Sequence, residues 1–509
     1  MLKGLQISRK ELVDLRQISK KKKIVLCHGA FDIVHPGHID HLENAKKLGD
    51  ILVVTITADH FLKKHLHSPL YNQNERLNFL KKLKIIDYVF IANSGSAIPS
   101  LNLIRPNFYC KGIEYKKDDL VGNLNEEKKI AKKIKCQLIF LGSNIKSSSK
   151  IFAENFFEIT DKNLEKQIRH NKKLDITKLF KKISKLRILV IGEIIFDKYT
   201  YLNLKGISPK SNVLSYIKDK ENYMSGGALA SYLFLKSFIK NTKFISIINK
   251  KQTNKKILNI LKKISTIKSN CFRDIVKERL IEVVQDNKIK KLITVNEYEE
   301  KELSLNDEKQ ILQQISKNAP KCDLIIVQDF GHNFFTKKII SKLEKFKNKL
   351  SINVQTNSLN YGYNIIDKKF KKASFFSLDE KELKLFSSKK KINYESELKK
   401  LISKLSARHG YLTLGGKFSI VTDGKKCFKI STLNKNPVDT MGAGDIFHAL
   451  SSVLSKTNNN IFVNLFLSQI AGAHAVGFVG NSAYPEINEI IRTYQFYVQS
   501  LNSRKKNTN

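Results

Sequence analysis

Two short segments of this sequence combine residue types and spacings that suit phosphate chemistry. The first is HGAFDIVHPGHIDHL, residues 28–42, in which His35 and His38 flank a Pro-Gly pair at the expected start of a helix. A helix N-terminus presents unpaired N–H groups and a favourable dipole to a phosphate. Two imidazoles at that point can reach one phosphate and stabilise the charge that develops as an α-phosphate is attacked and pyrophosphate leaves. The alternative interpretation is a pair of loop histidines beside an ordinary helix cap.

The second segment is NPVDTMGAGDIFHAL, residues 436–450. Gly442, Ala443 and Gly444 form a turn of small residues that opens a helix, and Asp445 follows directly. Backbone N–H groups in such a turn form a cradle for an anion. A carboxylate at its mouth can accept the proton of a sugar hydroxyl while a γ-phosphoryl group is transferred to the oxygen. The alternative is an ordinary glycine-rich helix start capped by Asp.

Around each segment, apolar runs of strand length alternate with amphipathic helical stretches, which predicts two α/β units built on parallel sheets. Before residue 150 the predicted strands are IVLCHGAF, ILVVTITA, DYVFIA, FYCKG and CQLIFLG, with a first helix that stops at Gly49. From Arg187 onward they are RILVIGEIIFDKY, FISII, LIIVQDF, LSINVQ, ASFFSL, YLTLGG and FSIVTDG. We therefore predict a first domain at 1–152, a helical connector at 153–184, a second domain at 185–500 and a frayed tail at 501–509.

The composition limits the class of protein. Of the 509 residues, 41% are apolar, which is enough for sizeable cores and too many for a disordered chain. No apolar run approaches the length of a signal peptide or a membrane span, so we expect a cytoplasmic protein with no membrane partner. The six cysteines are scattered singly and support neither a zinc site nor a disulfide framework. The net charge of +44 comes mainly from Lys spread along the chain, so we expect no dedicated nucleic-acid partner.

In its strand–turn–helix setting, the first segment resembles the HxGH nucleotidyltransferases, a cytidylyltransferase-like family, over residues 22–152. It is most similar to the heptose-1-phosphate adenylyltransferase branch, through KLGDILVV, KGIEY, KKDDLVG and SSSKI. The resemblance implies a Rossmann-like fold in which His35, His38 and a phosphate-contacting Lys63 are catalytic. It also implies that Asp32 orders the loop and that the nucleotide is bound by Gly29, Phe31, Asp32, Lys111, Gly112, Ser148 and Ser149.

Some positions of the first domain leave the substrate open. The RTEGIST signature of glycerol-phosphate cytidylyltransferases is replaced by GSNIKSSSK, and Ser68 stands where the heptose branch often has Arg. ATP is therefore favoured as the nucleotide, CTP stays open, and the acceptor sugar is not fixed. Glu75 and Arg76 match the pair that opens a helix in the family; the alternative is a solvated pair on a helix surface.

The second segment is identified as the DTxGAGD signature of the ribokinase/phosphofructokinase-B family of sugar kinases, which implies a ribokinase-like α/β domain. By this resemblance Asp445 is the catalytic base, and the nucleotide is bound by Gly442, Ala443, Gly444 and Gly480. The substrate-binding residues that it implies are Asp197, Gly226, Gly227, Asp329 and Glu382.

Four places in the second domain depart from that family's pattern. Ala230 replaces an expected Asn, and Asn353–Gln355 replaces Asp-Pro-Lys. Residues 377–379 read Ser-Leu-Asp in place of Thr-Pro-Asn, and Phe418 takes the place of a glycine. Either the sugar differs from heptose 7-phosphate, or the second domain has lost activity and keeps a binding role.

Together the resemblances predict a bifunctional enzyme similar to the heptose kinase/adenylyltransferases of lipopolysaccharide precursor synthesis, with the domain order reversed. We expect phosphorylation of a heptose-phosphate-like sugar and transfer of a nucleotidyl group from ATP or CTP to a sugar 1-phosphate, with release of pyrophosphate. We expect Mg²⁺ to be held mainly by the nucleotide phosphates rather than by a cage of protein ligands, and the chain to form a homodimer. One alternative is a nucleotidyltransferase whose silent kinase-like domain binds or assembles. Another, of a different class, is a nucleic-acid-binding protein.

Overall fold

The computed structural model describes residues 5–6, 21–62, 66, 69–116, 124–142, 148–155, 157–283, 289–389 and 391–501. The chain divides into two compact units, Met1–Arg169 with Ile491–Asn509, and His170–Ile490. We call them the N-terminal unit and the C-terminal unit. Both combine parallel strands with helices, so the predicted α/β fold class is confirmed.

The N-terminal unit is built on a six-stranded parallel sheet. Its strands are β1 (Leu5–Gln6), β2 (Ile24–Gly29), β3 (Ile51–Thr57), β4 (Tyr88–Ala92), β5 (Phe108–Gly112) and β6 (Gln137–Leu141). They lie in the order β1-β4-β3-β2-β5-β6. The chain moves from β2 outward to β4 and then returns to β5 on the other side of β2. Because ligands of open α/β sheets bind at the carboxyl edge beside such a reversal, the loop after β2 is a favoured site.

The helices that precede residue 172 are α1 (Pro36–Lys46), α2 (Gln73–Lys81), α3 (Ile98–Ile104), α4 (Leu124–Lys133), α5 (Ser148–Asn155) and α6 (Lys162–Asn171). Helix α1 ends three residues before Gly49, the predicted stop. A Cβ atom on Gly49 would lie 2.7 Å from the carbonyl oxygen of Lys23. Gly49 therefore permits the close approach of the next turn to the start of β2, which is a packing requirement rather than a helix stop.

The C-terminal unit contains fourteen strands among its described residues. They are β7 (Ile188–Gly192), β8 (Ile194–Ile207), β9 (Leu214–Gly227), β10 (Thr242–Ile245), β11 (Ile247–Asn249), β12 (Ile267–Ser269), β13 (Ile275–Val283), β14 (Ile289–Glu297), β15 (Leu324–Asp329), β16 (Leu350–Val354), β17 (Phe375–Asp379), β18 (His409–Thr413), β19 (Phe418–Thr422) and β20 (Cys427–Ser431). The main sheet has the order β10-β7-β15-β16-β17-β18-β19-β20. Its members from β10 to β18 are parallel, and the last two are antiparallel.

The remaining helices flank this sheet or close the chain. They are α7 (Ile176–Ile183), α8 (Ala228–Lys236), α9 (Lys255–Leu261), α10 (Leu305–Asn318), α11 (Lys337–Glu344), α12 (Ile366–Lys369), α13 (Glu380–Ser387), α14 (Tyr394–Leu405), α15 (Ala443–Thr457), α16 (Ile461–Ala475) and α17 (Ile487–Ser500). The region predicted as a helical connector holds α6 and α7. No helix of the described part of the chain is long and apolar enough to span a membrane.

A second sheet of four strands, in the order β14-β13-β8-β9, was not predicted from the sequence. The run RILVIGEIIFDKY, predicted as one strand, is divided at Glu193 between β7 of the main sheet and β8 of this second sheet. Its strands β8 and β9 are 14 residues long and pair antiparallel over most of their length. Only their ends near Ile194 and Gly227 are buried, while the outer halves are exposed and carry charged residues. Because half of each strand faces solvent on both sides, it lacks the apolar run or the alternation that indicates a strand. We call this sheet the outer sheet.

The main sheet of the C-terminal unit brings several polar residues to one edge. Asp329 is the last residue of β15, Gln355 directly follows β16, and Asp379 ends β17. In register, Asp329 lies beside Val354, and Asn353 lies beside Ser377. Because parallel strands present their carboxyl ends at the same edge, these residues lie where α/β proteins bind ligands.

Candidate active sites

The loop after β2 has a constrained backbone. Phe31 is buried and adopts φ +49°, in the left-handed region that residues other than glycine rarely occupy. A Cβ atom on Gly29 would lie 3.1 Å from the Phe31 ring, so the glycine leaves room for that ring. Conformations of this kind cost of order 1–3 kcal/mol and are concentrated at functional sites. Gly29 and Phe31 thus shape the predicted nucleotide loop.

The two predicted catalytic histidines lie together at the start of α1. His35 is the N-cap residue, with φ −140°, and Pro36 takes the first helical position. The backbone N–H of His38 donates to the His35 carbonyl at 2.8 Å, and the two ring centroids are 4.1 Å apart. The ring of Phe31 lies 5.4 Å from that of His38. Both imidazoles therefore meet at a helix N-terminus, where N–H groups and the dipole favour a phosphate.

Asp32 holds a second loop against the histidine loop. Its carboxylate accepts the backbone N–H of Leu70 at 2.9 Å and that of Tyr71 at 3.0 Å. This agrees with the role in ordering the loop that the sequence resemblance implies. Charge-assisted bonds to backbone N–H groups are stronger than neutral ones, so Asp32 fixes both loops without needing a ligand.

Arg76, on α2, is buried. The alternative interpretation, a solvated pair on a helix surface, is therefore wrong for Arg76. Its guanidinium donates to the carbonyls of Ala30 at 2.5 Å and Thr57 at 2.8 Å, and it pairs with Asp59 at 2.6 Å. These bonds join the histidine loop to the end of β3. Its neighbour Glu75 closes a capping box at the start of α2.

Lys111, predicted to bind nucleotide, ends in a buried ion pair. Its ammonium lies 2.5 Å from the Glu127 carboxylate, which also accepts the Tyr109 hydroxyl at 3.1 Å. The charge of Lys111 is therefore balanced within the unit, which no local sequence pattern could show. Gly112 ends β5 beside it, and Ser148 and Ser149 are the first two residues of α5.

Lys63, the third predicted catalytic residue, lies outside the described residues. The sequence interpretation also missed His28, which ends up beneath the loop. Its Nδ1 lies 2.9 Å from the Thr55 hydroxyl, and burial, reinforced by the charge of Lys111, lowers the pKa of His28 to about 3. His28 is therefore neutral at physiological pH and supports the loop through a hydrogen bond. Its place in HGAFD was the only available signal.

In the C-terminal unit, the small-residue turn leads into α15 as predicted. Gly442 is the N-cap residue, with φ +78°, and a Cβ atom on it would lie 2.0 Å from Oδ1 of Asn481. A Cβ atom on Gly444 would have no neighbour within 4 Å. Gly442 is therefore required by the backbone and by close packing, whereas Gly444 borders open space at the helix N-terminus. That space, next to Ala443 and Asp445, suits an anion.

Asp445 stands in the first turn of α15 and is buried. Burial raises the pKa of its carboxyl group to about 7, although the side-chain amide of Gln355, which donates to Oδ1 at 2.7 Å, opposes that rise. A carboxylate with a pKa near the working pH is well matched to accepting a proton. The Gln355 amide also donates to Asn353, so the residues that replace Asp-Pro-Lys form one hydrogen-bonded chain with Asp445.

Asp197 faces the same space from the outer sheet. It is buried on β8, and its carboxylate pairs with Arg279 of β13 at 2.5 Å. A Cβ atom on Gly226 would lie 2.3 Å from Oδ2 of Asp197, and one on Gly227 would lie 2.6 Å from the Glu193 carbonyl oxygen. The glycine pair is therefore needed for the close approach of β9 to β8 and to Glu193.

Asp439, the first aspartate of the DTMGAGD segment, joins the outer sheet to the anion turn. Its carboxylate accepts the Tyr199 hydroxyl at 2.6 Å and pairs with Lys291 at 2.6 Å. It also accepts the backbone N–H of Met441 at 3.2 Å and that of Gly480 at 2.9 Å. Gly480, predicted to bind nucleotide, is thus tied through its backbone to the loop that precedes Gly442.

The other two predicted substrate carboxylates are fixed near the carboxyl edge of the main sheet, Asp329 at the end of β15 and Glu382 on α13, which follows β17. Asp329 is fully buried and pairs with Lys369 at 2.6 Å. Glu382 accepts the backbone N–H groups of Thr356 at 3.1 Å and Asp379 at 2.7 Å. Burial raises the pKa of Glu382 well above its usual range, and Asp379 and Asp445 add to that rise. Both carboxylates order the carboxyl edge of the sheet.

The sequence interpretation missed four residues near this edge, which are Glu193, Lys277, Arg279 and Lys369. Glu193 follows β7 and accepts the backbone N–H groups of residues 330 and 332 at 3.0 and 3.1 Å. The only sequence signals for these residues were the alternating charges of Lys-Glu-Arg in β13 and the position of Glu193 directly after a strand. Gln355 was noted in the sequence only as a departure from the kinase pattern, and the structure shows its bond to Asp445.

The two sites differ in the chemistry that they can perform. The N-terminal site offers two imidazoles and a helix N-terminus, which can stabilise negative charge on a phosphate. The C-terminal site offers a buried carboxylate beside an anion turn, which can deprotonate a hydroxyl next to a phosphoryl group. Among the residues that the structure describes, no group of three or more His, Cys, Asp or Glu side chains could hold a metal ion.

Comparisons with known families match both halves of the chain. The family described as cytidylyltransferase-like matches residues 26–223, and the pfkB family of carbohydrate kinases matches residues 185–456. The matches overlap at 185–223, which the structure places in the C-terminal unit. The two resemblances inferred from the sequence are thereby confirmed.

Similar curated proteins match the N-terminal part of the chain. "Bifunctional protein HldE" of Aliarcobacter butzleri is 38% identical over 114 residues, which are 22% of this chain and 24% of that protein. The protein of the same name from Campylobacter concisus is 36% identical over 118 residues, 23% of this chain and 25% of that protein. The chain thus matches about a quarter of the length of these relatives.

Among solved structures, phosphofructokinase-2 of Escherichia coli in complex with potassium shares 11% identity at a TM-score of 0.47. The alignment covers 62% of this chain and 99% of that one. Ribokinase of Thermotoga maritima shares 17% identity at a TM-score of 0.45, over 61% of this chain and 99% of that one.

We predict that Gly442→Ala lowers the free energy of unfolding of the C-terminal unit by about 1–3 kcal/mol, because alanine would need a strained φ and would collide with Asn481. Thermal and denaturant unfolding of the full chain would measure this. Gly444→Ala is the matched control: its Cβ meets open space, so stability should stay unchanged or rise slightly. Equal losses in both variants would contradict the assignment.

Proposed function

The chain belongs to the pfkB family of carbohydrate kinases and carries a cytidylyltransferase-like domain before it, and on this premise we propose that it is a bifunctional enzyme of sugar activation. Its C-terminal unit phosphorylates a sugar hydroxyl. Its N-terminal unit transfers a nucleotidyl group from ATP, or from CTP, to a sugar 1-phosphate and releases pyrophosphate. The proposed substrates are a heptose-phosphate-like sugar and a nucleoside triphosphate, in the synthesis of nucleotide sugars for surface polysaccharide.

The observation that carries the kinase proposal is Asp445, buried beside an open anion turn with a pKa of about 7. In this proposal Asp445 accepts the hydroxyl proton as the oxygen attacks the γ-phosphoryl group. The N–H groups of the Gly442–Gly444 turn stabilise the phosphate charge. Asp197 orients the sugar through its hydroxyls, and Gly226 gives that carboxylate the room it needs.

The observation that supports nucleotidyl transfer is the pair of imidazoles 4.1 Å apart at the N-terminus of α1. His35 and His38 bind the α-phosphate and stabilise its charge as pyrophosphate leaves. Gly29, Phe31 and Asp32 shape the loop around the nucleotide, and Lys63 contributes a further positive charge. Ser148 and Ser149, the first two residues of α5, bind the phosphates of the nucleotide in this proposal, as the family resemblance implies.

Mg²⁺ fits this chemistry as a counter-ion of the triphosphate. The Glu382 carboxylate is already bonded to two backbone N–H groups, and Asp197 and Asp329 are paired with cations. The residues around the anion turn therefore suit an ion that arrives with the nucleotide, where it neutralises phosphate charge.

One observation favours the second candidate, a nucleotidyltransferase with a silent kinase-like unit. Ala230 is buried within α8, where the family usually has Asn, and Gln355 already occupies one oxygen of Asp445. We favour an active kinase of altered specificity. The Gln355 amide is neutral and does not neutralise the Asp445 carboxylate, which can therefore still accept a proton. The kinase assay below separates these two candidates.

We also propose that the chain acts in the cytoplasm as a homodimer that forms through the outer sheet. Several large apolar side chains of that sheet are exposed on a single chain, which is unusual for a surface without a partner. Among them are Leu204 and Ile207 of β8, Leu214 and Ile217 of β9, and Ile293 and Val295 of β14.

We predict that the two activities can be removed separately. His38→Ala should lower nucleotidyl transfer by about 10²–10³-fold and leave the kinase unchanged, because it removes only charge stabilisation at the first site. Asp445→Asn should lower the kinase rate by about 10²–10⁴-fold and leave nucleotidyl transfer unchanged. Release of pyrophosphate and of ADP would be followed separately, with Mg²⁺, ATP or CTP, and a panel of sugar phosphates. A variant that keeps its own reaction would refute that site, and absence of ADP release from the unmodified chain would favour the silent kinase.

The pH dependence of the kinase tests the role of Asp445. Because the base must be unprotonated, kcat/KM should rise with pH through about 7 and then level off. Gln355→Leu removes the hydrogen bond that lowers the Asp445 pKa, so the midpoint should move upward by about one pH unit, equivalent to about 1.4 kcal/mol. The nucleotidyl transfer profile of the same variant is the internal control. A midpoint that stays in place or moves downward would argue against Asp445 as the base.

The dimer proposal predicts that charge in the outer sheet separates the subunits. Ile207→Glu combined with Ile217→Glu should convert a dimer into a monomer, because burying two carboxylates at an apolar interface is costly. Sedimentation velocity would measure the mass. Leu305→Glu is the control, since Leu305 is 80% exposed and lies on α10, which is not part of the outer sheet. A monomeric unmodified chain, or a double variant that stays dimeric, would refute the interface.

A further inference from the structure

Three cations around the C-terminal site are committed to carboxylates. Arg279 pairs with Asp197 at 2.5 Å, Lys369 pairs with Asp329 at 2.6 Å, and Lys291 pairs with Asp439 at 2.6 Å. Each of these carboxylates is buried, so the ion pair offsets the cost of removing its charge from water. These cations therefore hold the protein together and have little charge left to offer to a ligand.

Lys277 is a fourth cation at this site, and it differs from the other three. It lies on β13, two residues before Arg279, and its side chain is partly buried. Within the described part of the chain, its ammonium has neither an ion-pair partner within 4.0 Å nor a hydrogen-bond acceptor. Leaving an ammonium partly desolvated and unpaired costs free energy, which needs a compensating role.

The strand register places Lys277 at the kinase site. Lys277 is the direct partner of Asp197 on the neighbouring parallel strand β8, so the two side chains emerge on the same face of the outer sheet. The carboxylates of Asp197, Asp445 and Glu193 all act electrostatically on its ammonium. Burial lowers the pKa of Lys277, and these three carboxylates oppose that effect. The cation is thus close to the proposed base and to the proposed sugar-binding carboxylate.

A phosphoryl group would supply the missing partner. The anion turn borders open space at Gly444, and in the proposed kinase reaction the hydroxyl lies beside Asp445. We propose that Lys277 binds a phosphoryl group of the kinase substrates through its ammonium, from the face of the outer sheet that carries Asp197. This inference rests on the proposed kinase function. Two sources share the chemistry: the γ-phosphoryl group in transfer, and a phosphate already present on the sugar.

Kinetics of the full chain would distinguish these sources. We expect Lys277→Met to lower kcat/KM roughly 10- to 100-fold, the effect of losing one charge-assisted hydrogen bond, and Lys277→Arg to restore part of it. A fall in kcat with phosphorylated and unphosphorylated sugars alike would assign Lys277 to the γ-phosphoryl group. A rise in KM confined to the phosphorylated sugars would assign it to the phosphate of the sugar.

A matched control is available on the same strand pair. Lys198 adjoins Asp197 on β8 but points to the opposite face, where it pairs with Glu278 at 3.0 Å. Lys198→Met should change neither kinetic constant by more than about twofold, because this ion pair lies on the opposite face of the sheet from Asp197. Thermal unfolding of each variant would establish that any loss is not a loss of the folded state. Equal kinetics for Lys277→Met and the unmodified chain would overturn the proposal.

Binding measurements test the role of Lys277 independently of the proposed kinase activity. In the His38→Ala chain, titration calorimetry would compare ADP, β,γ-methylene-ATP and inorganic phosphate, with and without Lys277→Met. Weaker binding of the ATP analogue or of phosphate, with ADP unchanged, would support Lys277 even if the chain phosphorylates no sugar in the panel. Unchanged binding of all three, together with unchanged kinetics, would refute the inference while leaving an active kinase intact.

Discussion

The burial of carboxylates at the carboxyl edge of one parallel sheet is the constraint on which the C-terminal unit depends. A carboxylate removed from water must be paired, hydrogen-bonded or protonated. Asp197, Asp329 and Asp439 are paired with Arg279, Lys369 and Lys291, and Glu193 and Glu382 are held by backbone N–H groups. Each compensation fixes another element: the outer sheet, the end of β15, or the loop before Gly442. Burial raises the pKa of Asp445 to about 7, and the hydrogen bond from the neutral Gln355 amide opposes that rise only in part. A pKa near neutrality suits a proton acceptor.

In the N-terminal unit the constraint is an unfavourable backbone conformation, which the guanidinium of Arg76 helps to hold in place. Its histidine loop runs through a left-handed Phe31, and such a backbone persists only where its surroundings over-determine it. Arg76 holds this loop by donating hydrogen bonds to the carbonyls of Ala30 and Thr57. Asp32 holds it by accepting the backbone N–H of Leu70. The imidazoles of His35 and His38 are thus positioned by residues that do not belong to the HxGH motif. Specific binding of a phosphate by so few groups depends on this prior organisation.

The sequence predicted the elements whose signal is local and missed those that depend on distant partners. The strand IVLCHGAF, the helix after HPGH and the turn at Gly442 follow from apolar runs and small residues, and the structure has all three. The outer sheet could not be predicted, since the distal halves of β8 and β9 are exposed and polar. The family resemblance predicts that Lys111 binds the nucleotide, and nothing near Lys111 in the sequence reveals Glu127 as its counter-ion. The burial of Arg76 was equally hidden, because its acceptors come from three separate segments.

The departures from the kinase pattern take on a physical meaning once their contacts are known. Asn353 and Gln355 stand where relatives often carry a charged pair, and from the sequence alone this substitution indicates a loss of substrate or nucleotide contacts. In the structure, the amide of Gln355 bridges Asn353 and Asp445, so the chain of hydrogen bonds to the base is complete. A cation at that position would stabilise the ionised carboxylate more strongly and would lower its pKa further. A neutral donor stabilises it less and leaves a stronger base. The positive charge that transfer of a phosphoryl group still requires must then come from elsewhere. The ammonium of Lys277, which interacts electrostatically with Asp445, is placed to provide it.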